Sequence, residues 1–273
     1  MKILMITNTM IPEFQEDLWI AESFRNDGHT VDFSGMEFDE SLDSKYDIFL
    51  KRNYWDTDSA NFEVGKTSYS SIYRIKTKNM PRINFDGKFD GSGTKHYLAE
   101  LYDNGMPVIP TVVNCKDLCK LPASKTYLLK PHNGYDGFGI LECGRDEVAM
   151  KWNENFVIQP KLCFTSEVQF YYVGNDFHNA LEYSPSKLSD HTKVKPYQFS
   201  PHEFEIAQSF ADLSPNHMGV QRIDFIKTEN GLLLLEIEDA SPYLNLVDVD
   251  ATKRQKFIDA YKAMVYSHNT LSK

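Results

Sequence analysis

Long hydrophobic runs are missing from this 273-residue chain, and no apolar stretch reaches the 18 or so residues that a membrane-crossing helix needs. The opening run, Met1-Lys2-Ile3-Leu4-Met5-Ile6, is one short strand-like segment, too short for the apolar core of a secretory signal. Cysteine is scarce. Cys115, Cys119, Cys143 and Cys163 are irregularly spaced, and Cys115-x3-Cys119 has no second pair to close a zinc site. All four are expected to be reduced thiols in a cytoplasmic protein. Positive charge is also short: 29 lysines and arginines face 39 acids, a net charge of −10. That balance argues against a general affinity for nucleic acid or for an anionic membrane. The eight histidines form no His-x3-His pair, Ser241 has no nucleophile-elbow context, and there are no repeats or low-complexity tracts.

What is present is an ordinary globular composition, 41% hydrophobic and 25% charged, long enough for a sizeable core in two or three subdomains. Residues 2–7 read as a strand. Residues 15–27 place Leu18, Ile20, Ala21 and Phe24 at roughly helical spacing before Gly28, and 29–33 and 46–50 read as further strands. Strand, helix, strand at this spacing implies a parallel crossover unit. Further along, the pattern predicts a helix at 95–104, a strand at 107–111 and strands at 126–130 and 139–142. Strand-like stretches follow at 156–162 and 167–183, then a polar loop at 184–203 and helices at 204–213 and 253–268.

Between two of these strands lies Lys130-Pro131-His132-Asn133-Gly134-Tyr135-Asp136-Gly137-Phe138-Gly139. Closely spaced glycines let the backbone take positive φ and bring its N–H groups against phosphate oxygens. No Gly-Lys-Ser/Thr follows, so this is no Walker loop. An ordinary glycine-rich hairpin would look much the same, but Lys130 at the end of the preceding strand points to a phosphate flap. Lys95 opens a helix, where a cation opposes the macrodipole; it is either a surface lysine or a ligand contact.

The densest chemistry stands near the carboxyl end. Glu236-Ile237-Glu238 closes the run from Gly231, and Arg222-Ile223-Asp224 precedes it. Side chains alternate along a strand, so each pair of charges shares a face. A two-residue Asn230-Gly231 turn would set Asp224 opposite Ile237. A three-residue Glu229-Asn230-Gly231 loop would pair Thr228 with Leu232, Asp224 with Glu236 and Arg222 with Glu238, gathering all four charges. Acids so close repel one another and lose hydration unless a divalent cation joins them. The competing reading is a solvent-facing ladder of charge pairs on a half-exposed hairpin.

Taken in order, these pieces resemble the ATP-grasp superfamily from about residue 47 onward. The order is a helix-opening Lys95, the Gly105–Thr111 segment, the lysine strand with its glycine flap and the stretch 156–162. Glu167 on a strand follows, then Arg-x-Asp and Glu-x-Glu. Arg52-Asn53-Tyr54-Trp55-Asp56 and the run from Leu235 to Leu244 resemble the cycloserine-forming cyclo-ligase type and its glutathione-synthetase-like relatives. The resemblance implies an α/β (α+β) fold of three parts: an N-terminal α/β parallel-sheet domain (1–91), a central small subdomain with the flap (92–162) and a C-terminal subdomain with a metal site (163–273).

The resemblance also implies site roles. Lys95 and Lys130 would contact ATP phosphates under a flap of Gly134, Asp136, Gly137 and Gly139. Gln159 with the backbone of Lys161 and Leu162 would meet adenine, and Glu167 the ribose. Asp224, Glu236 and Glu238 would hold Mg2+, with Mn2+ as its substitute, and Arg222 would face the acyl phosphate or a substrate carboxylate. The implied activity is ATP-dependent joining of small-molecule carboxylate and amine substrates, in a homodimer. A small-molecule kinase and a non-catalytic nucleotide-binding protein are the alternatives. Two positions depart from the common pattern. The end is Glu-x-Glu where many members have Glu-x-Asn, and the basic residue expected near Glu182-Tyr183 is replaced, with Lys187, Lys193 or Lys195 as substitutes.

Overall fold

The structure, a computed structural model, describes residues 1–7, 14–34, 45–52, 81–85, 87–89, 94–134, 137, 139–183, 194–215, 217–240 and 242–271. The expected crossover opens the chain. Strand β1 (Lys2–Ile6) is followed by helix α1 (Gln15–Asn26), β2 (Thr30–Ser34), β3 (Ile48–Lys51) and β4 (Arg82–Ile83). The four strands form one parallel sheet in the order β2-β1-β3-β4. Helix α1 buries Ile20, Ala21 and Phe24, while Leu18, expected on the same face, is exposed. Gly28 ends this unit at φ +83°, a left-handed conformation open to glycine at little cost.

The middle of the chain carries α2 (His96–Asp103), β5 (Tyr127–Pro131), β6 (Leu141–Cys143), α3 (Val148–Lys151) and β7 (Phe156–Pro160). The strands make an antiparallel sheet, β6-β5-β7. Then come β8 (Ser166–Val173), β9 (Asp176–Tyr183), β10 (Lys195–Pro196), α4 (Pro201–Ala211), β11 (Val220–Thr228), β12 (Gly231–Glu238) and α5 (Ala251–Leu271). Their strands form a five-stranded sheet, β10-β9-β8-β11-β12. Helix α5 returns to the first sheet: Phe257, Ile258, Tyr261 and Val265 share one core with Ile3, Met5, Phe24, Ile48 and Leu50, joined by Tyr171 and Val173 of β8.

Three expectations need correction. The segment 107–111 is not a strand. Pro107 and Pro110 have no N–H to donate, so only single links form, Ile109 N to Leu234 O (3.0 Å) and Leu234 N to Pro107 O (2.8 Å). With Val112 bonded to Ile158, the segment ties the five-stranded sheet to the three-stranded one. Helix α4 begins at Pro201, inside the stretch expected to be loop. Proline suits the first turn, and Ser200 with Glu203 closes a capping box in front of it.

The third correction concerns the β11–β12 turn. Thr228 pairs with Gly231 and Lys227 with Leu232, so the connection is Glu229-Asn230 and not the three-residue loop. The register then slips by one between Phe225, opposite Leu234, and Asp224, opposite Glu236. This bulge at Leu235 restores the alternation, so Asp224 still faces Glu236 and Arg222 still faces Glu238.

Candidate active site

Antiparallel pairing builds one polar face from three strands. On β8, Glu167, Gln169 and Tyr171 lie opposite Ile226, Asp224 and Arg222 of β11, which in turn oppose Glu236 and Glu238 of β12. Arg222 holds two of the acids. Its Nε donates to Asp224 Oδ1 at 2.9 Å, and its Nη2 donates to Asp224 Oδ2 at 2.9 Å and to Glu238 Oε1 at 2.6 Å. Its Nη1 donates to Tyr243 O at 3.0 Å. Glu236 is met from another element: Lys95 Nζ, at the N-cap of α2, lies 2.8 Å from Glu236 Oε2. Lys95 is therefore committed to the cluster, although it begins a helix.

The three-stranded sheet adds Lys130. Its pairing opposite Val157, with Leu128 opposite Gln159, puts these four residues on one face. The other face packs Tyr127, Leu129, Phe156 and Ile158 into a core. Burial pushes the Lys130 ammonium below the usual lysine range, and Lys95 adds to this while Glu236 and Glu167 oppose it. Lys130 thus lies within electrostatic reach of Glu236 and Glu167. Burial pushes Glu167 up to about 7, assisted by Asp224 and Glu236 and opposed by Lys130 and Arg222. Burial also raises Asp224 despite Arg222. It acts in the same direction on Glu236, but Lys95, Arg222 and Lys130 together hold that carboxyl below the ordinary range.

Carboxylate oxygens of Asp224, Glu236 and Glu238 all lie within 4.8 Å of one another. Three hard oxygen donors at that spacing fit Mg2+, which binds through a few carboxylates and completes its shell with water and phosphate oxygens; Mn2+ accepts the same donors. The residues therefore suit the cation that the sequence implied.

The remaining expected residues are distributed as follows. Gly137 and Gly139 have φ +72° and +74°, the left-handed backbone that lets a loop fold over a ligand. At Gly134 a Cβ would lie 3.0 Å from the Pro131 ring, so a side chain there would displace the turn. Gln159 is buried on the Lys130 face, and its Nε2 donates to Thr111 Oγ1 at 2.9 Å. The Lys161 backbone N–H, expected at adenine, donates to Thr126 O at 2.9 Å, and its side chain forms an exposed pair with Glu142. Leu162 follows, half-buried. Lys195 pairs with Glu182 at 3.2 Å. Asp136, Asn53 to Asp56, Lys187 and Lys193 lie outside the described residues.

Sequence reasoning passed over Gln169, Tyr171 and Asn245. Gln169 Nε2 donates to Asp224 Oδ2 at 3.2 Å, and its Oε1 accepts from Tyr171 OH at 2.6 Å and from Asn245 Nδ2 at 3.2 Å. Strand parity from Glu167 was the available signal for the first two. Arg52, noted only within a motif, is fully buried between Glu16 (2.8 Å) and Asp17 (2.9 Å).

No protein-family model and no curated protein matches the sequence. Solved structures do. D-cycloserine synthetase DcsG superposes with a TM-score of 0.71 at 18% identity, covering 96% of this chain and 99% of that one. D-alanine–D-alanine ligase from Bacillus anthracis, complexed with ATP, gives 0.64 at 12% identity over 99% and 97% of the two chains. The ATP-grasp ligase PsnB, complexed with a minimal precursor, gives 0.63 at 14% identity over 96% and 99%. With nearly the whole of each chain superposed, the fold of this protein is that of the ATP-grasp ligases.

Proposed function

We propose that the protein is an ATP- and magnesium-dependent carboxylate–amine ligase that acts through an acyl phosphate on a small amino-acid or peptide-like substrate in the cytoplasm. The observation that carries this reading is that Lys95, from outside the hairpin, pairs with Glu236 of the Asp224/Glu236/Glu238 cluster at 2.8 Å, while Lys130, from another sheet, feels the charge of the same Glu236. A bare acidic ladder needs no such lysines. A site for a nucleotide triphosphate and its cation needs both kinds of charge. The ATP-grasp fold supports the same reading.

The three proposed parts divide the work. Residues 1–91 would shape the substrate pocket, 92–162 would cover the nucleotide and 163–273 would hold the cation. Asp224, Glu236 and Glu238 would hold magnesium, which supplies neutralisation of charge on the transferred phosphoryl group. Lys95 and Lys130 would bind phosphate oxygens, with Gly134, Gly137 and Gly139 of the expected flap closing above them and excluding water. Gln159, on the Lys130 face, would meet the base, and Glu167 the ribose.

A substrate carboxylate oxygen then attacks the γ-phosphorus, and the bond to the ADP oxygen breaks. The amine nitrogen attacks the resulting acyl carbon, phosphate leaves with the electron pair, and the nitrogen gives up a proton. Arg222, fixed by Asp224, Glu238 and Tyr243 O, would present its guanidinium to the developing negative charge. Two copies of the chain would form the working particle.

The test is phosphate and ADP release on addition of paired amino-acid pools. Release that requires both an acid and an amine supports ligation. A stable phosphorylated product with no amine requirement would make the protein a kinase, and tight binding of ATP without turnover would make it a binding protein.

A further inference from the structure

Asp224 is held from two sides. Arg222 donates to Oδ1 through Nε (2.9 Å) and to Oδ2 through Nε (3.2 Å) and Nη2 (2.9 Å), and Gln169 Nε2 donates to Oδ2 (3.2 Å). Oδ2 thus accepts three of these four contacts, and Oδ1 is the oxygen left with more room for a cation. The Gln169 amide has no freedom to reverse. Its Oε1 accepts from both Tyr171 OH and Asn245 Nδ2, and a flip would set an oxygen against the Asp224 carboxylate and an NH2 against two donors.

Asn245 is the unusual member. It is 4% exposed, and its φ of +51° is a left-handed conformation that a non-glycine residue adopts at some cost. The surrounding backbone imposes that conformation. Glu16 accepts from the N–H groups of Leu244 (2.9 Å) and Leu246 (3.3 Å), Arg52 Nη1 donates to Pro242 O (3.3 Å), and Arg222 Nη1 donates to Tyr243 O (3.0 Å). Glycine would suit the backbone there with less strain. What asparagine adds is the amide that meets Gln169 and Tyr171.

We propose that Gln169, set by Asn245 and Tyr171, is a positioning residue that aims Asp224 at the cation. The segment 242–246, clasped by Glu16 and Arg52 beside the first sheet, thereby fixes the geometry of a ligand on the last one. This rests on the reading of Asp224 as a metal ligand. A merely structural network would satisfy buried polar atoms and leave cation affinity unchanged.

The experiment measures Mn2+ affinity of the full chain with saturating AMP-PNP by electron paramagnetic resonance, for wild type, Gln169→Met, Asn245→Gly and Asp224→Asn. Metal-free AMP-PNP binding and the melting temperature are recorded alongside. Asn245→Gly suits the left-handed backbone, so it keeps the fold if Gln169→Met does not. Outer contacts of this kind change metal affinity by roughly 10- to 100-fold. We expect about a 10-fold loss in Gln169→Met and in Asn245→Gly, with metal-free nucleotide binding unchanged. Wild-type affinity in either folded variant overturns the positioning role and leaves the function intact. Failure of wild type to bind Mn2+, or indifference to Asp224→Asn, overturns the metal-site reading and this inference with it.

Discussion

Lys95 has two proposed partners that exclude each other, a phosphate when nucleotide is bound and Glu236 when it is not. In the structure its Nζ lies 2.8 Å from Glu236 Oε2, with the two side chains 22% and 29% exposed. Without nucleotide, a cation must compete with this ammonium for Glu236. At an effective dielectric of about 20, two unit charges at this separation attract by roughly 6 kcal/mol, which is a ceiling. Partial exposure and salt reduce the net contribution to about 1–2 kcal/mol, between a surface pair and a charge-assisted hydrogen bond. Replacing Lys95 with Met should therefore tighten nucleotide-free Mn2+ binding by about 5- to 30-fold. The same change should weaken AMP-PNP binding by about 10-fold or more, since a phosphate contact is lost. Paired titrations, Mn2+ alone by paramagnetic resonance and AMP-PNP by calorimetry, read the two effects. Opposite signs are expected. Mn2+ affinity that is unchanged or weaker in Lys95→Met would refute the idea that Lys95 and the cation share Glu236.

Other predictions follow from single groups. Arg52→Leu leaves Glu16 and Asp17 buried without their cation. It should cost about 3–5 kcal/mol, seen by calorimetry as a melting temperature lower by roughly 10 °C. The Glu167 carboxyl titrates near 7 in the folded chain against an ordinary 4.5, so the folded state binds its proton more tightly. That stabilisation is complete below about pH 4.5 and is lost as pH rises through 7. Denaturant titrations without ligand should show up to about 3 kcal/mol of this decline between pH 5 and 8, removed in Glu167→Gln. Gly137→Ala forces a side chain into φ +72° at a cost of about 1–2 kcal/mol. Calorimetry should read that strain as a lower melting temperature, by about 2–4 °C per kcal/mol.

The sequence made the first sheet legible because β1, α1 and β2 carry their periods cleanly, with Gly28 as punctuation. Leu18 misled because helical spacing alone does not say how far a core extends around α1. The site hairpin shows the limit of parity. Asp224 and Glu236 face each other as expected, but through a two-residue turn and a bulge at Leu235. Nothing in four consecutive leucines marks a slip, since no polar residue alternates there. Lys130 and the acids of the site were legible because buried charge needs a reason. Gln169 and Asn245 were not, because a neutral amide gives no such signal until its partners are placed around it. Sequence alone does not decide between surface and site for Lys95, because its partner, Glu236, lies 141 residues away in the chain.

Asp224, Glu236 and Glu238 are proposed to hold a divalent cation against nucleotide phosphates. The most direct measurement is a crystal structure with AMP-PNP and MnCl2, using anomalous scattering to locate manganese. A peak is expected about 2.1–2.3 Å from oxygens of all three carboxylates, with the β- and γ-phosphates beside it and Lys95 and Lys130 on phosphate oxygens. Nucleotide bound elsewhere, or a cluster still held by Arg222 and Lys95 with no manganese at saturating concentration, would contradict it.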